Sequence, residues 1–147
     1  MAKNSSSDGK KWRRATRLVR GGTTRSGHGE TSEAIFLTSG YVYDGAAEAE
    51  ARFKGEAPGF VYSRFGNPTV AMFEQRLALL EGAEACKATS TGMAAVFAAL
   101  MAQLRAGDHV VASRALFGSC LYIVGELLPR YGIEVTLVDG TDMAQWQ

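Results

Sequence analysis

The sequence predicts an α/β protein built on a parallel sheet, and three observations carry that expectation. Short β-rich segments (85–89, 109–113 and 133–138) alternate with helical stretches (92–104 and about 118–130), the strand–helix–strand order of right-handed crossovers. Turn-forming residues fall between them, at Gly82, Gly107-Asp108 and Gly132. The composition, 46% hydrophobic and 21% charged over 147 residues, is that of an ordinary globular domain. Three strands with one face covered are too few for a doubly wound sheet of usual size, so the architecture is expected to be incomplete.

The elements follow in order. Residues 1–15 are polar and read as a disordered tail, and residues 16–60 read as an N-terminal arm. Thr16 to Arg25, with Gly21-Gly22, reads as extended, and Ser26-Gly27-His28-Gly29 as a turn. Residues 34–43 are β-branched and aromatic without clean alternation, which predicts an extended segment packed against something. Asp44 is expected to cap a short helix over 45–54, followed by a loop over 55–59.

Residues 61–147 read as the first part of a larger domain. Asn67 is a good N-cap and Pro68 a good first helical residue. That helix is expected to reach Leu80 or Glu81, with Val70, Phe73, Leu77 and Leu80 on one apolar face, and to stop at Gly82. A strand over 85–89 leads into the helix 92–104, whose Met93, Val96, Phe97, Leu100, Met101 and Leu104 face an Ala-rich opposite side, so the helix is expected to be buried. After the strand 109–113, a Phe117-Gly118-Ser119 turn opens a helix to about Arg130, with Pro129 near its end where a break costs least. The strand 133–138 follows, and Thr141-Asp142 is placed to cap one more helix.

Composition narrows the function classes. Residues 1–30 carry eight Lys/Arg against Asp8 and Glu30, whereas residues 31–147 carry eight against thirteen acidic residues. The basic excess lies in a polar leader, where a solvated tail is the ordinary explanation, and no nucleic-acid partner is expected. No run approaches a membrane span, so no membrane association is expected either. Cys86 and Cys120 form no CxxC pair and no disulfide framework, which suits a reducing, cytoplasmic setting. His28 and His109 lack a neighbouring ligand set, and no metal site is expected.

Chemistry concentrates in three places. Thr89-Ser90-Thr91-Gly92-Met93 joins a strand to a helix N-terminus, where open N–H groups and partial positive charge suit a phosphate. Plain capping by Ser90 or Thr91 explains the same residues. Tyr62-Ser63-Arg64 just precedes the Asn67-Pro68 helix, and Arg64 and Tyr62 suit a phosphate; a half-buried tyrosine and an arginine paired with a carboxylate are the alternative. Phe117 sits after a strand, where an aromatic either stacks on a flat ligand or fills a core. Cys120 has no evident activating base and reads as a small buried residue; nothing marks Lys87 as pointing into a pocket.

Taken together, Tyr62-Ser63-Arg64…Asn67-Pro68-Thr69 and Ser90-Thr91-Gly92-Met93 resemble the Tyr-x-Arg…Asn-Pro-Thr and Ser-Ser-Gly-Met motifs of the Cys/Met-metabolism pyridoxal-phosphate (PLP) enzymes of fold type I. The resemblance covers residues 16–147. It implies a three-layer αβα, aspartate aminotransferase-like large domain, present in part and preceded by the arm. It implies PLP as cofactor, with Gly92 and Met93 donating N–H groups to its phosphate beside Ser90, and Phe117 stacked on its ring. Tyr62 and Arg64 would reach the phosphate of a neighbouring subunit, in a homo-oligomer with shared active sites, a tetramer as a dimer of dimers.

Phe117 departs from the tyrosine of most members, keeping the stacking but losing the phenol. Leu116-Phe117-Gly118-Ser119 is most similar to the branch that replaces succinate of O-succinyl-L-homoserine by sulfide to give L-homocysteine in methionine biosynthesis. Cystathionine γ-synthase, cystathionine γ-lyase and methionine γ-lyase chemistry stay open, as does a non-catalytic anion-binding module. The resemblance places the Schiff-base lysine beyond residue 147, so the chain is expected to be an N-terminal fragment without catalytic residues of its own and inactive alone.

Overall fold

The computed structural model describes residues 11–147 and divides the chain into two compact units, Met1–Ala88 and Thr89–Gln147. The part of the expected disordered tail at 1–10 lies outside the described residues.

The first unit is held by helix–arm contacts. Helix α1 (Arg14–Arg20) occupies the stretch expected to be tail and extended arm. Residues 14–20 interrupt their basic positions with Ala15, Leu18 and Val19, and they contain no glycine or proline until Gly21 ends the run. Helix α2 (Ala46–Phe53) forms where expected, but Gly45 takes the cap position and Asp44 caps nothing with its side chain. Instead the Asp44 N–H donates to Glu48 Oε2 at 2.6 Å. That bond, followed by the Arg52 guanidinium, holds the Glu48 carboxyl below its usual range.

Helix α3 (Pro68–Glu81) starts and stops as its sequence dictates. Asn67 Oδ1 accepts from the Thr69 N–H at 2.9 Å, and Gly82 closes the helix in the left-handed region. The expected apolar face is not the buried one. Met72 and Ala78 are buried, while Val70, Phe73 and Leu77 are exposed and Leu80 is half-buried. The arm selects the Met72 side: Arg76 Nε donates to Gly21 O at 2.8 Å, Arg76 pairs with Glu33, and Arg17 donates to Leu79 O at 3.2 Å. Gly22, at φ 71°, runs so close to α3 that a Cβ would lie 2.7 Å from Met72 O.

The 34–43 segment is extended and packed, as expected, but through its tyrosines: Tyr41 meets the Phe60 ring at 5.5 Å and Tyr43 the Phe53 ring at 6.4 Å between centroids. Its Ile35, Leu37 and Val42 side chains are exposed. Residues 85–89 are extended without a ladder partner among the described residues, so the strand expected there is not formed. The Ser26–Gly29 turn is present, with Gly29 N–H donating to Ser26 O at 3.2 Å. Glu30 closes it, accepting from the Ser26 N–H and hydroxyl, both at 2.7 Å.

The second unit is a small parallel α/β assembly. Helix α4 (Gly92–Met101) is followed by β1 (His109–Ser113). Helix α5 (Gly118–Tyr122), a π-helical turn (Ile123–Leu127) and α6 (Leu128–Arg130) run on to β2 (Glu134–Val138). The strands pair in parallel, Val110 opposite Val135 and Ala112 opposite Leu137. The wide turn has a local cause: Pro129 has no N–H for the Gly125 carbonyl and its ring crowds it.

Ile123, Val124, Leu128, Ile133 and Val138 form the core, with Leu128 fully buried. Helix α4 departs from expectation. It ends at Met101 and none of its residues is buried, although Phe97 meets the Tyr131 ring at 6.0 Å between centroids. Only two strands form the sheet among the described residues, one fewer than expected. Asp142 caps a final 3-10 turn (Met143–Trp146), as expected.

Two predictions follow from these contacts. Asn67→Ala removes the α3 cap and strands the Phe36 carbonyl, so urea denaturation should show a loss of about 1–3 kcal/mol. The Ser26 donors hold the Glu30 carboxyl at about 2 instead of 4.5. Its contribution is therefore complete above pH 4.5 and fades as pH falls through about 2. An amide NMR titration should show the Ser26 resonance moving in that window and not at pH 5–7.

Candidate functional site

The first cluster grows from the Asn67 cap. Tyr62 O accepts from the N–H groups of Phe65 and Gly66, at 2.9 and 3.1 Å, which folds 62–66 into a turn. Tyr62 also bridges Gly40 in antiparallel fashion. The turn turns Ser63 inward and leaves Tyr62 and Arg64 exposed. The Arg64 guanidinium lies 5.2 Å from the Tyr62 ring centroid and 5.3 Å from that of Phe65. Among the described residues no carboxylate pairs with it, so the alternative of an ion-paired surface arginine does not hold. A cation held only by π faces keeps its five N–H donors for an incoming anion.

A cavity of about 440 Å³ opens beside this turn within the first unit. Its walls include Phe60, Arg64, Asn67, Glu74 and Lys87. Glu74 accepts from the Ala88 N–H at 2.8 Å and lies 3.4 Å from Lys87 Nζ. Lys87, unmarked in the sequence, thus lines the cavity, though its side chain is largely exposed and neutralised by Glu74.

The second cluster is the turn into α4. Thr91 is the cap: its Oγ1 accepts from the Ala94 N–H at 3.1 Å, while Thr89 Oγ1 donates to Thr91 O at 2.8 Å. Capping therefore uses Thr91 and leaves Ser90 exposed, its hydroxyl without a partner among the described residues. The N–H groups of Gly92 and Met93 precede the first helical bond and likewise find no acceptor there. A Cβ on Gly92 would meet nothing within 4 Å. The glycine is not required by packing, and the space above it is open to a ligand.

Phe117 lies in the same unit, four residues past the end of β1, and is 72% exposed. It is not a core aromatic. Cys120 is half-buried rather than buried. His109 Nε2 meets Thr136 Oγ1 at 2.9 Å across the strand pair, the structural role expected of it. Among the described residues no three His, Cys, Asp or Glu side chains form a metal-sized group, and no helix is long and apolar enough to cross a membrane.

Comparison with known proteins follows the same residues. A family described as "Cys/Met metabolism PLP-dependent enzyme" matches residues 15–147. The chain is 59% identical over 133 residues to an O-succinylhomoserine sulfhydrylase of Mycobacterium tuberculosis, covering 90% of this chain and 33% of that protein. It is 42% identical over 125 residues to an L-methionine gamma-lyase of Porphyromonas gingivalis, covering 85% of this chain and 31% of that one. Among solved structures, a Campylobacter jejuni protein assigned as an O-acetylhomoserine (thiol)-lyase and carrying pyridoxyl-lysine phosphate superposes with TM-score 0.85 at 30% identity, over 92% of this chain and 34% of its own. Corynebacterium glutamicum metB superposes with TM-score 0.82 at 27% identity, over 94% and 34%. The chain thus spans about a third of the length of the relatives it matches. Its fold is that of the fold type I enzymes, an incomplete αβα PLP-transferase-like domain.

Gly92→Ala supplies a test of the open turn. With no atom to clash and a better helix former at the first position, stability in urea should change by no more than about 0.5 kcal/mol. A larger loss would mean that the glycine serves packing.

Proposed function

Because the chain belongs to the Cys/Met-metabolism PLP-dependent enzyme family, we propose that it supplies the phosphate- and ring-binding part of a sulfhydrylase acting on O-succinyl-L-homoserine. In that reaction the Cγ–O bond breaks, a Cγ–S bond to sulfide forms, and L-homocysteine and succinate leave. The observation that carries the reading is the open Ser90–Met93 turn in a chain 59% identical to a sulfhydrylase.

When bound, PLP would supply an electron sink for loss of protons from the substrate's α- and β-carbons, which lets the Cγ–O bond break. This chain's residues hold it. The N–H groups of Gly92 and Met93 and the positive end of α4 take the phosphate, and the Ser90 hydroxyl adds a donor. Phe117 covers the ring face and carries no phenol, so it moves no proton. Tyr62 and Arg64 serve the phosphate of a neighbouring copy, which makes the enzyme an oligomer with shared sites, a dimer of dimers, working in the cytoplasm. The 42% identity to a methionine γ-lyase supports a second reading, elimination instead of replacement, with the same phosphate contacts.

The complete enzyme, given O-succinyl-L-homoserine and sulfide, should release homocysteine and succinate in equal amounts; 2-oxobutyrate and ammonia as main products would favour the lyase reading. Residues 1–147 alone should yield neither. Arg64→Ala removes a charge-assisted contact of about 1.5–3 kcal/mol, so equilibrium dialysis should show about 10- to 100-fold weaker PLP binding. Phe117→Tyr restores the phenol and should raise the share of elimination products. An unchanged product ratio would show that the phenol is irrelevant here.

A further inference from the structure

We propose that Ser63 is a positioning residue that fixes Tyr62 and Arg64 for phosphate binding, an inference that rests on the phosphate role proposed for that pair. Ser63 is flanked by both residues and faces the other way. Its N–H donates to Ser39 O at 2.9 Å, and its hydroxyl donates to Thr38 O. The same oxygen accepts from Asn67 Nδ2 at 3.0 Å and lies 3.2 Å from the Tyr41 hydroxyl.

A serine hydroxyl has one donor and two lone pairs, and here all three are used. With its proton committed to Thr38, Ser63 leaves Tyr41 as the donor between the two hydroxyls. Gly66 O, 3.5 Å from that phenol, is then a weak second choice. Asn67 uses both amide N–H groups and one lone pair of its oxygen. Its amide nitrogen donates to Phe36 O and Ser63 Oγ, both at 3.0 Å, and its oxygen caps α3. Every donor of Ser63 and of the Asn67 amide is thus used, and these bonds fasten the turn.

That arrangement places Arg64 near the two rings. Neither Tyr62 nor Arg64 is held by a hydrogen bond of its own side chain among the described residues, so their aim depends on the backbone that Ser63 fastens. Removing the hydroxyl frees the turn to rotate without removing either phosphate ligand.

A double-mutant cycle on the complete protein, read as the dissociation constant for PLP by equilibrium dialysis, tests this. Ser63→Ala should weaken binding about tenfold, and Tyr41→Phe, a milder change, about three- to fivefold. On an Arg64→Ala background, Ser63→Ala should add only about two- to threefold, because Tyr62 is then the one ligand left to aim. The same factor in both backgrounds would assign Ser63 to general stability and overturn the proposal. Unchanged binding in both Ser63→Ala and Tyr41→Phe, with Arg64→Ala weakened, would overturn the positioning role and leave the phosphate reading intact. An unaffected Arg64→Ala protein would remove both. If Ser63→Ala fails to fold, Tyr41→Phe carries the same cycle.

Discussion

The buried amide of Asn67 is the constraint on which the first unit depends. It is 8% exposed, and every polar atom it carries is spent. One bond starts α3, one holds the 34–43 segment at Phe36, and one reaches Ser63. A buried amide with a missing partner costs more than an ordinary hydrogen bond is worth. The helix, the extended segment and the Tyr62–Gly66 turn therefore share one fastening, and each steadies the others. The exposed cation of Arg64 is what that shared fastening presents.

The second unit reaches a similar result by different physics. There the anchor is apolar: Leu128 and its neighbours seat the helical stretch against the β1–β2 pair. Pairing in parallel requires a crossover, and the crossover sets Phe117 beyond the carboxyl end of β1. Helix α4 brings its N-terminus into the same unit with three groups unspent: the Gly92 and Met93 N–H groups and the Ser90 hydroxyl. Exposed groups at a helix start are ordinarily left to water, and an anion can take that water's place while Thr91 keeps the helix capped.

What the sequence made legible were features with local causes. The Asn67-Pro68 start and Gly82 stop of α3, the 109–113 strand, the helical run ending near Pro129 and the Asp142 cap are set within a few residues of chain. The motif pair at Tyr62–Thr69 and Ser90–Met93 was legible too, and the family match agrees with it. Two misreadings are local, the helix at Arg14–Arg20 and the α2 cap at Gly45 instead of Asp44; the others concern partners distant in sequence. The buried side of α3 is chosen by Gly21, Gly22 and Glu33, which no periodicity reveals. Residues 85–89 have strand composition but no neighbour to pair with, and α4 has core composition but no cover among the described residues. The Ser63 network was missed because a serine between a conspicuous tyrosine and arginine has no signal of its own. Its one hint was the polar spacing Ser63…Asn67, which only a turn brings together.

The role proposed for this chain requires the phosphate of PLP to occupy the turn into α4. A crystal structure of the complete protein with PLP measures this directly. Phosphate oxygens should lie within hydrogen-bond distance of the Gly92 and Met93 N–H groups, with the Phe117 ring over the pyridine. A phosphate seated elsewhere, with those N–H groups bonded only to water, would contradict it.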